Sequence, residues 1–136
     1  MTNESIRNHC LGLPHVTEIV QWESHLLFKI GAKMFAIIDL DGHSCSFRST
    51  PDGYAELVEM ADIVPASHNM WKYHWVTLET LTALPERDLR AALTTAYDIV
   101  RAGLPKGVQA SLDAGRAAAV APRIPKKGRR RATIKR

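Results

Sequence analysis

Three sets of residues in this chain suit chemistry, and all three suit the capture of a ligand better than the making or breaking of bonds. The first is a run of cations: Arg123, Lys126, Lys127, Arg129, Arg130, Arg131, Lys135 and Arg136 fall within residues 120–136, where no acidic residue occurs. Taking these eight positive charges from the net +4 leaves residues 1–119 at −4. The basic character therefore belongs to the end of the chain, the piece suited to a polyanion. Closely spaced cations displace counterions from phosphates, which gives salt-dependent affinity with little sequence preference. DNA and RNA are the expected partners, and an acidic protein surface offers the same charge. The competing reading is a solubilising segment held open by self-repulsion.

The second set is Lys29, Lys33 and Arg48, which hairpin spacing places on neighbouring strands as a candidate basic patch. Simple alternation puts Lys33, Phe35, Ile37 and Asp39 on one side of their strand and Met34, Ala36 and Ile38 on the other. The third set is the stretch from His68 to Trp75. Trp71, Tyr73 and Trp75 offer stacking faces, Lys72 a phosphate partner, and His68 and His74 hydrogen bonds near neutral pH. An amphipathic strand here would bury part of this aromatic surface, so Trp75 is read as core and Trp71 and Lys72 as the exposed candidates. Trp22 is expected in the same region.

Catalytic patterns are weaker. The six histidines are scattered without metal-ligand spacing, and the two cysteines, Cys10 and Cys45, share no CxxC motif. Both read as reduced thiols in apolar patterns. Asp39 and Asp41 flank a turn and are assigned to setting it. No glycine-rich phosphate loop or nucleotide fingerprint occurs, and nothing calls for a metal or a cofactor. An uncharacterised enzyme has no group that lacks a simpler structural use. A protein-interaction module with an unknown partner is the main alternative to nucleic-acid binding.

The elements that must hold these groups follow from local signals. A helix is expected over about residues 3–11, capped by Asn3 or Ser5, with Ile6 and Cys10 inward and Gly12-Leu13-Pro14 ending it. Thr17–Trp22 reads as a strand. Leu26–Ile30, Lys33–Leu40 and His43–Ser49 read as three antiparallel strands joined at Gly31-Ala32 and at an Asp41-Gly42 hairpin turn. Thr50-Pro51 opens a second helix whose buried stripe is Tyr54, Leu57, Val58 and Ala61. Val64-Pro65-Ala66 is extended or irregular, and a further strand includes Val76–Glu79. The strongest helix begins at Pro85, burying Leu89, Leu93, Ala96, Tyr97, Val100 and Leu104. Residues 107–121 form a marginal helix or a linker. No apolar run reaches the roughly twenty residues of a membrane span. The N-terminus lacks the features of a secretory signal, so a cytoplasmic location is the default.

Several of these pieces, taken in order, resemble the MmcQ/YjbR-like family. They are Leu13-Pro14, the Phe28–Ala36 hairpin (FKIGAKMFA against a family FKVGGKMFA), Ser46-Phe47-Arg48, Pro65-Ala66, Trp75-Val76, Thr95–Val100 and Leu104-Pro105-Lys106. The likeness covers about residues 7–106, with departures at Ala32, where the family often has glycine, and at Ala96. It implies a compact fold similar to the double-wing DNA-binding domains of phage transcription factors, in a family described mostly as predicted DNA-binding proteins. The combined expectation is an α+β domain over residues 1–106, an antiparallel sheet packed by helices. An Ala/Pro-rich linker and a disordered basic C-terminal tail follow over 107–136.

Overall fold

The computed structural model describes residues 1–22 and 24–120, with side chains as far as Asp113. The basic segment from residue 121 onward, with the nucleic-acid contacts assigned to Lys126, Lys127, Arg129, Arg130, Arg131, Lys135 and Arg136, lies outside the described residues. The chain divides into two compact units, Met1–Val100 and a second that begins at Arg101.

The first unit is an α+β domain built on one six-stranded antiparallel sheet, as expected. Its strands are β1 (Val16–Gln21), β2 (His25–Ile30), β3 (Lys33–Asp39), β4 (Cys45–Arg48), β5 (Ile63–Pro65) and β6 (Trp75–Leu78), in the order β1-β2-β3-β4-β6-β5. Four strands meander, and β6 then inserts between β4 and β5. Helix α1 (Asn3–Leu11) is capped by Thr2, whose hydroxyl accepts from the Ser5 backbone while the Ser5 hydroxyl accepts from the Thr2 N–H. The reciprocal pair satisfies two amides that a helix start leaves open. Helix α2 (Pro51–Leu57) begins as its sequence dictates, with Thr50 accepting from the Gly53 amide. Its expected stripe is not core, however. Tyr54, Leu57 and Val58 are half-buried and Ala61 is exposed, because the helix ends after two turns at the edge of the sheet.

Turn chemistry departs from expectation in two places. The β3–β4 connection is a five-residue loop, Leu40–Ser44, and not a tight Asp41-Gly42 turn, so β4 starts at Cys45 and not at His43. Gly42 has no positive φ. Its role is space, since a Cβ there would lie 3.1 Å from Asp39 Oδ2. Asp39 organises the loop by accepting the Asp41 amide at 3.0 Å. At the β2–β3 turn Gly31 alone takes positive φ (63°), so alanine at position 32 is accommodated without strain. The other differences lie later in the chain. Ile63–Pro65 is a true edge strand, and Met70–Tyr73, before the strand read over Val76–Glu79, is a 3-10 turn, η1.

One irregularity decides which side chains face which way. Phe28 pairs with Ala36 but Lys29 pairs with Met34, so β3 carries one more residue than β2 at this point. This β-bulge turns Phe35 and Ala36 to the same face, and the simple alternation expected along β3 fails there. Phe35, fully buried, meets Phe28 at 6.5 Å and the ring of Tyr97 edge-on at 5.6 Å. That face, with Leu26, Ile38, Cys45, Phe47, Val76 and Leu78, packs against α1 through Ile6 and Cys10. It also packs against α3 (Glu86–Ala102) through Leu89, Leu93, Ala96 and Tyr97. Tyr97 further donates its hydroxyl to the Pro14 carbonyl at 2.7 Å, fastening α3 to the chain between α1 and β1.

The helices are also joined by His9. Arg90 on α3 has only donors, so its guanidinium 3.4 Å from Nδ1 makes that nitrogen an acceptor. The proton of the neutral ring then sits on Nε2, which donates to Thr94 Oγ1 at 3.0 Å. Burial, then the Arg90 charge, lowers the His9 pKa. On the exposed side of α1, Arg7 grips Glu18 of β1 with two bonds of 2.8 and 2.6 Å, which hold the Glu18 carboxyl below its ordinary value.

In the second unit, helix α4 (Lys106–Val120) occupies the stretch read as marginal helix or linker. Gln109 Nε2 donates to the Leu104 carbonyl at 2.8 Å, and Arg101 pairs with Asp113.

Replacing Phe35 by alanine should destabilise the protein by about 3–5 kcal/mol in denaturant unfolding, the usual cost of emptying a fully buried aromatic site. A loss below about 1 kcal/mol would contradict the bulge packing. The His9 prediction concerns pH. The unfolded ring takes up a proton near pH 6.5 and the folded ring only at lower pH, so the unfolded state binds more protons between the two values. This contribution is intact above about pH 6.5 and is lost as pH falls below it. The variant His9→Gln should show a shallower fall in melting temperature between pH 7.5 and 5 than the parent. Parallel curves would refute the assignment.

Candidate functional site

Helices cover one face of the sheet, and the other face holds the candidate site. Register places Leu27, Ile37, Ser46, Thr77 and Val64 in one row across five strands of this open face. Leu27 and Ile37 join Ala66 and Trp75 in a small buried cluster, flanked by Met34 and Met70. Trp75 is thus core, as its position in an amphipathic strand implied.

Beside this cluster lies a cleft of about 550 Å³. Its floor is made by Ile37 of β3, Ser46 of β4 and Thr77 of β6, with Ser46 Oγ and Thr77 Oγ1 hydrogen-bonded at 2.7 Å. One wall comes from the β1–β2 connection and the start of β2, as Trp22 and His25, whose rings meet edge-on at 5.8 Å. The opposite wall is the segment between β5 and η1: Ala66, Ser67, His68 and Met70. Asp39, directly opposite His25 in register, and Ser44 close the end next to the β3–β4 loop.

Two features mark the cleft apart from an ordinary surface hollow. Trp22 (φ 52°) and His68 (φ 59°), one on each wall, have left-handed backbone that bulky residues rarely adopt, and each costs on the order of 1–3 kcal/mol. In addition, His25 Nδ1 is buried and has no hydrogen-bond partner among the described residues. Among the described residues the cleft lining holds one carboxylate and no lysine or arginine.

The residues singled out in the sequence distribute unevenly around this site. Arg48 stands opposite Trp75 and Lys29 opposite Met34, so both belong to the open face, half-buried. Along β4, Arg48 is the next same-face position after Ser46, about 7 Å farther on. Lys33 pairs with Ile30 and alternates to the other side, exposed at the hairpin end. Only two of the three cations thus share a face. Trp71 is 46 % exposed, with Lys72 Nζ 5.9 Å from its ring centre, and both lie outside the cleft lining. Of the His68–Trp75 stretch, only His68 and Met70 line it. The reading by motif missed His25, Asp39, Ser44, Ser46 and Thr77 as site residues. Small polar residues at matching positions of β4 and β6, on the face that the helices do not cover, were the available signal.

The cysteines point elsewhere. Cys10 and Cys45 are buried on the helix-packed side, and burial pushes the Cys10 thiol up to about 12 and that of Cys45 higher still. Neither supplies a thiolate near neutral pH. His74 lies against Tyr54, with its carbonyl taken by the Ser49 amide and hydroxyl, and is absent from the cleft lining. A Cys-His-Asp set around Cys45, His68 and His74 is therefore not assembled. Among the described residues, no cluster of three or more His, Cys, Asp or Glu is placed to hold a metal, and no helix is long and apolar enough to cross a membrane. A thiol-reactive dye at pH 7.5 should label neither cysteine in the native protein and both in denaturant. Fast native labelling would contradict the burial.

The geometry agrees with what comparisons with known proteins find. The chain is similar to a protein of Deinococcus radiodurans carrying the family-model domain DUF419. The crystal structure of that protein superposes with a TM-score of 0.73 at 28 % identity, covering 82 % of this chain and 88 % of the other. A Pseudomonas syringae protein shares the fold, with a TM-score of 0.60 at 18 % identity over 73 % of this chain and 98 % of its own. No curated protein matches the chain. The YjbR family model matches residues 11–99, which takes in the whole sheet and most of α3, and the chain belongs to that family.

Proposed function

We infer that the protein is a nucleic-acid-binding module in which the basic C-terminal segment supplies most of the affinity. One observation carries this reading: eight cations and no acid within residues 120–136, against a net −4 over residues 1–119. A body of that sign does not attract a phosphate backbone over a broad surface, so the attraction is concentrated at one end of the chain. We take residues 1–106 as the folded module and residues 107–136 as the segment that carries the charge to its partner. Trp71 with Lys72, and Arg48 with Lys29, are the body's own candidates for contact, the first pair for stacking and the second for phosphate. The contact is largely blind to sequence, because phosphates carry no base information.

A protein partner is the second reading, favoured by apolar exposure along the edge strand β1. Ile19, Val20 and Leu40 are each at least 40 % exposed there and line a shallow hollow with Leu26, Arg7 and Glu18.

The test is a salt titration of binding to mixed-sequence duplex and single-stranded probes. It compares the full chain with a full-length variant in which the eight cations of residues 120–136 are glutamine. The parent should weaken steeply with salt, with a log–log slope of up to about −7 on duplex if every cation meets a phosphate. The variant should lose most of that binding. Equal affinity of the two proteins at low salt would defeat this reading, and failure of the parent to bind either probe would favour the protein partner.

A further inference from the structure

The cleft on the open face has a chemistry that the basic segment cannot use, and it differs from a phosphate site. Its volume of about 550 Å³ falls within the range of small-molecule pockets. Among the described residues no lysine or arginine lines it, and the Asp39 carboxylate does, so an anionic group meets no lysine or arginine inside and faces a like charge. What it offers is an indole wall (Trp22), a floor of Ile37 with the Ser46 and Thr77 hydroxyls, and the Asp39 carboxylate at one end. Hydroxyls such as Ser46 and Thr77 both donate and accept, whereas Asp39 only accepts. A flat ligand that carries its own N–H donors, together with acceptors, satisfies this set. Left-handed backbone at Trp22 and His68, two of the six non-glycine residues with positive φ among those described, lies on both walls.

We propose that this cleft binds an amino-bearing nucleobase. The aromatic plane lies along Trp22, and the exocyclic amine donates to the Asp39 carboxylate; uracil has no amine, and its one ring N–H lies between two carbonyl oxygens that would face the same carboxylate. Any sugar-phosphate then lies outside the acidic end. On the same face stand Arg48, one same-face position beyond Ser46, and Lys29, one beyond Leu27. In register they lie beside Trp75 and Met34 of the small cluster, where an emerging backbone would pass. The assignment to a base of a nucleic acid rests on the reading above. A free nucleoside presents the same chemistry, and the two sources are separated by experiment.

The experiment is amide chemical-shift mapping on the full, unmodified chain at 0.5 M salt, where phosphate contacts are largely screened. Guanosine, cytidine, adenosine and uridine are titrated singly, followed by a short single-stranded oligonucleotide and a blunt duplex. Shifts from at least one amino-bearing nucleoside or from the single strand should centre on His25, Ile37, Ser46, His68 and Thr77. Uridine should bind at least tenfold more weakly. Saturation by a nucleoside alone identifies a free metabolite as the source, and saturation by the single strand alone identifies an unpaired base. Asp39→Asn should reduce the preference over uridine, and Trp22→Ala should weaken binding at least tenfold. Absence of cleft shifts with every probe, or equal binding of uridine, overturns the proposal. Duplex binding at low salt in that case leaves the role of the basic segment standing, so the two failures are told apart.

Discussion

The single extra residue in β3 governs the architecture of both faces of the sheet. With strict alternation from Asp39 back to Lys33, Phe35 would join Ile37 and Asp39 on the open side, where a second large ring would crowd Leu27, Ile37 and Trp75. The bulge instead sends Phe35 to the helix side, next to Phe28 and Tyr97, and leaves Met34 to flank the open cluster. Two consecutive buried residues, Phe35 and Ala36, then face the helices, one large and one small. A bulge costs local pairing, and the cost is offset because a buried aromatic ring contributes several kcal/mol through lost water contact and dense packing.

From this follows an uneven division of the apolar residues. The helix-packed side takes nearly all the large ones, including Phe28, Phe35, Phe47, Leu78, Leu89 and Leu93, each essentially inaccessible to water. The open side keeps only the cluster around Trp75, and next to it the sheet presents Ser46, Thr77, Asp39 and His25. A sheet face with few apolar residues and no helix over it normally carries long charged side chains. Short hydroxyls and a single carboxylate leave a concave surface instead, and the chain before η1 walls it on one side. The cleft is therefore a by-product of where the core is placed, and its polarity is set by four strands that bring one or two residues each.

How much of this was legible depended on whether the signal was local. The starts of α2 and α3, and the residues α3 buries, could be read from capping and three-to-four spacing, because a helix reports its environment within its own sequence. Strands β2 and β3 were equally visible. The bulge was not, since alternation is counted along one strand while a bulge is defined only by its partner. The Leu40–Ser44 loop was misread for a related reason: Asp41-Gly42 fits a tight hairpin turn, but Asp39 captures the Asp41 amide and widens the connection. Strand β5 is three residues long and ends in proline, too little for a pattern, and it exists because its partner β6 offers an edge. The cleft residues escaped because they are far apart in the chain, and Asp39 already had a sufficient explanation as a turn residue. Trp22 was placed in the right region, but its left-handed backbone has no signature in sequence.

The basic segment and the cleft, as proposed, differ in what they can distinguish. Cations that contact phosphates gain from counterion release whatever the base, so eight of them raise affinity without choosing a sequence. A hydrogen-bonding pocket behaves in the opposite way. A base lacking the amine leaves an Asp39 oxygen desolvated and without that donor, a penalty of about 1–3 kcal/mol, which corresponds to roughly five- to 150-fold in binding. Discrimination of that size is useless to a module that meets its partner rarely, and affinity without discrimination is useless to one that must act at particular positions. Joining a long-range, salt-sensitive attraction to a short-range, salt-resistant pocket overcomes both failings, because the first raises the local concentration at which the second operates. The acidic body then serves a purpose as well. With a net −4 over residues 1–119, it disfavours broad settling of the polyanion over the sheet in positions where the cleft stays empty.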